Sequence, residues 1–76
     1  MAESDPVSHL EAMAEAAYSA MYDAHNHRDA AVCYGDAKDC FIDAIAAAKR
    51  AGDVATAQRL SVRLAHVKAV FRSQFT

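Results

Sequence analysis

The chain has 76 residues, 54% of them hydrophobic and 24% charged, with a formal net charge of −2. That length allows a single domain, and so apolar a chain with little net charge can bury surface rather than stay disordered. The charge balance argues against a general nucleic-acid binder, no apolar run approaches the roughly 18 residues of a membrane span, and the acidic start Met1-Ala2-Glu3-Ser4-Asp5 lacks the positive charge of a signal peptide.

A reducing, cytoplasmic location is the expectation. Alanine occurs 19 times, glycine twice and proline once, which is the composition of helices rather than of turn-rich sheet.

Asp5-Pro6 announces the first helix, expected over about residues 6–26. Aspartate suits the N-cap, and proline suits the first helical position, where its missing N–H costs nothing. Val7, Leu10, Ala14, Ala17, Met21 and Ala24 then recur at alternating three- and four-residue steps, one stripe of a helix. The signal fades over His25-Asn26-His27-Arg28, which reads as a turn with Asp29 capping the next helix.

The second helix is expected over about residues 30–51, with Tyr34, Ala37, Phe41, Ala44, Ile45 and Ala48 on one face. Its acids lie towards its start and Lys49 and Arg50 at its end, which complements the helix dipole. Gly35 inside it should cost about 1 kcal/mol relative to alanine; the close approach of another helix would explain it. Gly52-Asp53 is the clearest punctuation, a glycine that ends one helix and an aspartate that caps the next. The third helix, about residues 54–73, carries the strongest stripe: Ala57, Leu60, Leu64, Val67, Phe71 and Gln74 or Phe75. Short connections between three helices predict an all-α, up-down-up antiparallel three-helix bundle.

Size makes such a bundle marginal alone. A chain of this mass should expose about 4,500 Å² folded against about 11,900 Å² unfolded. Burying the apolar part of the difference gains on the order of 110 kcal/mol at about 25 cal/mol/Å². Ordering the chain at about 1.5 kcal/mol per residue costs about as much. Self-association or a partner protein is therefore expected, and the sequence predicts a homodimer.

Charge is sorted by helix: Glu3, Asp5, Glu11, Glu15 and Asp23 precede the first basic residue, while Arg59, Arg63, Lys68 and Arg72 fall on the third helix. Complementary faces of neighbouring helices explain this. A basic face for nucleic acid would need a larger footprint than four charges spread round a helix.

Cys33 and Cys40 are seven apart on one helix, about 10.5 Å between Cα atoms, too far for a disulfide or a shared zinc ion. They read as small buried hydrophobes. His25 and His27 stand beside Asp23 and Asp29 but point different ways on a helix, and no Glu-x-x-His pair faces them. No nucleophile–base pairing and no phosphate loop is legible, so no enzyme activity and no cofactor are expected.

The run Ala37-x-x-x-Phe41-x-x-Ala44, followed by Gly52-Asp53 and Ala57, resembles the second helix of a tetratricopeptide repeat and the opening of the next. The resemblance spans residues 37–57 and implies a protein-binding helical scaffold. A histidine on a bundle helix is also similar in outline to a histidine phosphotransfer domain, where only His66 would carry over, as phosphate acceptor. That family places a lysine three positions after the histidine and then a glycine; here Lys68 comes two positions after, Ala69 follows it, and a fourth helix is missing.

Beyond its core stripe the third helix keeps apolar residues in reserve. Val62, Ala69 and Val70 are expected to form a docking surface, with Arg63 and His66 as its polar rim. The sequence thus predicts a small helical interaction or structural module. The alternative is a regulatory phosphotransfer or metal-linked protein using His66, or His25 and His27.

Overall fold

The computed structural model describes residues 6–75. They form α1 (Pro6–Asp23), α2 (His27–Arg50) and α3 (Val54–Gln74), an all-α up-down-up bundle. The Cα trace measures 39 × 25 × 13 Å. Asp5, the expected cap of the first helix, lies outside the described residues.

Each connection follows from a few side chains. α1 ends at Asp23, and Asn26 rather than Asp29 caps α2. Asn26 Oδ1 accepts from the Asp29 N–H at 2.8 Å, and its amide donates to Asp29 Oδ2 at 3.3 Å. Both residues are good caps. Asn26 takes the role because its extended backbone (φ −151°, ψ 171°) sits just outside the helix, which leaves Asp29 in the first turn to complement the dipole.

The second connection is as read. Gly52 takes φ +77°, and the Gly52 N–H donates to Lys49 O and the Asp53 N–H to Ala48 O, a Schellman ending. Asp53 then accepts from the Thr56 N–H at 3.1 Å as the cap of α3.

The core is built from Phe41, Met21, Leu60 and Val67, with Ala14, Ala37, Ala44 and Ala48 completely enclosed. The alanines matter through what they lack: without long side chains between them, α1 and α2 pack closely along their length. α2 also packs against α3. α1 and α3 meet instead through long side chains, which reach across a wider gap.

Tyr18, which α1's stripe omits, is in the core at 8% exposure. Leu10, Ala17, Ala24, Ile45, Tyr34, Phe71 and Phe75 are half-buried against it. No helix among the described residues is long and apolar enough to cross a membrane.

Candidate functional site

The two neighbours of α3 divide its circumference. On the α1 side, Arg59 pairs with Glu11 through two hydrogen bonds of 2.7 and 3.0 Å, and Arg63 pairs with Glu15 through two of 2.8 Å. Such two-pronged guanidinium–carboxylate contacts fix orientation as well as charge. The Arg63 guanidinium also lies 5.0 Å above the Tyr18 ring.

Arg59, hydrogen-bonded to it, holds the Glu11 carboxyl below its ordinary value against a smaller opposing effect of burial. Tyr18 Oη is 3.1 Å from Tyr22 Oη, and burial first, then Tyr22, pushes the Tyr18 phenol above 10.0. His66 is exposed, its ring edge-on to Tyr18 at 6.4 Å. Val70 is half-buried and packs on the core.

Of the five residues expected on the docking surface, Arg63 and His66 thus border α1 and Val70 packs on the core, whereas Val62 and Ala69 are exposed. Val62 is the most exposed large hydrophobic residue described, at 71%. Ala55, Val62 and Ala69 stand seven positions apart and all three are exposed, forming one outward stripe.

Beside this stripe, on the α2 side, lies a groove of about 730 Å³ lined by Lys49, Val54, Ala57, Gln58, Ser61 and Val62. Val54 is itself 63% exposed. The reserve of apolar surface on α3 was legible in the sequence; the groove was not, because its lining comes from α3 and from Lys49 of α2, which only the fold brings together.

His25 and His27 line an open depression of about 450 Å³ at the α1–α2 turn, flanked on the other side by the end of α3 at Ser73 and Phe75. The His27 ring stacks on Phe71 with centroids 6.0 Å apart. Among the described residues, no three His, Cys, Asp or Glu side chains gather as a metal site.

Cys33 and Cys40 are free and half-buried against the core. Burial first, then the charges of Asp43, Asp36 and Asp39, raise the Cys40 thiol above 9.0, which keeps it in the unreactive thiol form.

Ala37, Phe41, Ala44 and Ala57, which carry the tetratricopeptide-like pattern, are all core residues. No family model, no curated protein and no solved structure matches the chain.

Proposed function

We propose that the chain is a non-enzymatic helical interaction module that pairs with a second copy of itself through the outward face of α3. The observation that carries this reading is the stripe Ala55–Val62–Ala69: small, large, small, symmetric in sequence about a valine that is 71% exposed. Two such stripes laid antiparallel match themselves. Val62 meets Val62, and Ala55 of each copy faces Ala69 of the other.

An interface related by a two-fold axis demands this self-complementarity. The alanines let the helices approach closely, and each Val62 then lies against the groove beside the opposite stripe. The positive N-terminus of one α3 comes beside the negative C-terminus of the other, a favourable dipole arrangement. Gln58 and Ser61 in the groove supply a polar rim.

The test is multi-angle light scattering after gel filtration, on the native chain and on Val62→Glu. A side chain this exposed can be replaced without disturbing the core, so helicity should persist. The expected result is a dimer for the native chain and a monomer for the variant. A native monomer at the highest soluble concentration would refute self-pairing. A variant that remains dimeric would move the interface to another face.

A further inference from the structure

At the opposite end of the α2–α3 seam from Val62 lies a second groove, of about 440 Å³, lined by Tyr34, Lys38, Lys68, Phe71 and Arg72. Lys38 from α2 and Lys68 from α3 line it with two aromatic rings, Arg72 lies beside them, and among the described residues no carboxylate lines it. Two ammonium groups facing one recess repel, and an anion placed between them turns that repulsion into attraction.

The rings form an ordered platform. Tyr34 and Phe71 stack with centroids 4.2 Å apart and planes within 5°. Behind them His27 and Phe75 each stack on Phe71 at 6.0 Å. The Lys38 ammonium stands over the Tyr34 ring, 5.6 Å from its centroid, a contact that uses the electron-rich ring as a cation's seat.

We propose that this groove binds a nucleotide, its phosphates against Lys38 and Lys68 with Arg72 at the rim, and its base on the Tyr34–Phe71 platform. Lysine and arginine side chains both bind phosphate through charge-assisted hydrogen bonds. A flat base stacks on an aromatic ring whatever its sequence identity. A nucleotide satisfies both features at once: its phosphate draws the Lys38 ammonium aside and its base covers the ring thus uncovered. The recess falls within the size range of small-molecule sites. The overall charge of −2 opposes a long polyanion, so the geometry points to a free nucleotide rather than a nucleic-acid strand.

Isothermal titration calorimetry at low salt tests this with ATP, inorganic tripolyphosphate and a short single-stranded oligonucleotide. The native chain is compared with Lys38→Gln/Lys68→Gln, with Lys68→Gln alone, with Tyr34→Leu, and with Arg28→Gln/Arg50→Gln as a charge-matched control outside the groove. Circular dichroism checks that each variant keeps its helices, and the exposed Lys68 supplies a substitution that leaves the core untouched.

The proposal expects one saturable ATP site per chain, tighter than tripolyphosphate, and weakened about tenfold in the double lysine variant while the control is unaffected. Tyr34→Leu should abolish the preference for ATP over tripolyphosphate. Absence of ATP binding at millimolar concentration would overturn the proposal. So would equal weakening in the control, equal affinity for tripolyphosphate, or a preference for the oligonucleotide at equal phosphate concentration.

Discussion

Gly35 sits in the interior of α2, and a Cβ built on it would meet nothing within 4 Å. Its sequence position suggested the close passage of a neighbouring helix, yet the structure leaves the space open. Glycine there loses backbone entropy on folding and gains no packing in return, so Gly35→Ala should stabilise the protein by about 0.5 to 1 kcal/mol. Urea denaturation monitored at 222 nm will read this as a higher midpoint with an unchanged slope; a lower midpoint would mean that the glycine serves a contact absent from the single chain.

Asn26 gives the opposite case. Its side chain satisfies the Asp29 N–H, and Asn26→Ala should cost about 1 kcal/mol in the same experiment, against a smaller loss for Asp29→Ala. The sequence pointed to Asp29 as the cap and the structure uses Asn26; either side chain can accept the bond. Backbone geometry decides, and that depends on where α1 stops. Gly52 was readable for the converse reason. The positive φ that ends a helix and the aspartate that starts the next are local demands, met by adjacent residues.

Between elements, the sorted charges were legible as complementary faces, and the structure realises them as Glu11–Arg59 and Glu15–Arg63. A helical wheel could not show that these pairs bridge the wider side of the bundle, where little else connects α1 to α3. Arg63 is half-buried and shares its guanidinium with the Tyr18 ring. A double-mutant cycle on Glu15 and Arg63 should therefore give a coupling near the upper end of the range for exposed pairs, about 1 kcal/mol, falling as salt is added.

Acid should loosen the same seam. The Glu11 carboxyl is lowered in the fold from the 4.5 it has when unfolded, so its pairing contributes fully above that value. The contribution is lost as pH falls through the lower folded value. As pH falls below about 5 the native chain should lose stability more steeply than Glu11→Gln, in which that step is removed. Parallel curves would show that the carboxylate of Glu11 adds nothing to the fold.

For the molecule as a whole, periodicity was enough to place Phe41, Met21, Leu60 and Val67 at the centre, because a three-four stripe defines the inward face of any helix. It left Tyr18 off the inward stripe of α1, yet that ring is buried with its hydroxyl 3.1 Å from that of Tyr22. It also merged two kinds of apolar surplus on α3: Val70, which the bundle uses, and Val62, which it does not.

That distinction bears on stability. Six of the thirteen buried core residues described are alanines, each burying little area, so the gain from folding is thin against the entropy of ordering the chain. Burying Val62 and its flanking alanines against a second copy would couple folding to association. Melting temperature should then rise with protein concentration, since mass action favours the paired state. In thermal scans across a hundredfold concentration range, the native chain is expected to shift upward by several degrees while Val62→Glu melts at one lower temperature throughout. A native melting point independent of concentration would mean that the bundle's own packing, regular as it is, suffices for one copy, and that the outward stripe of α3 serves some other contact.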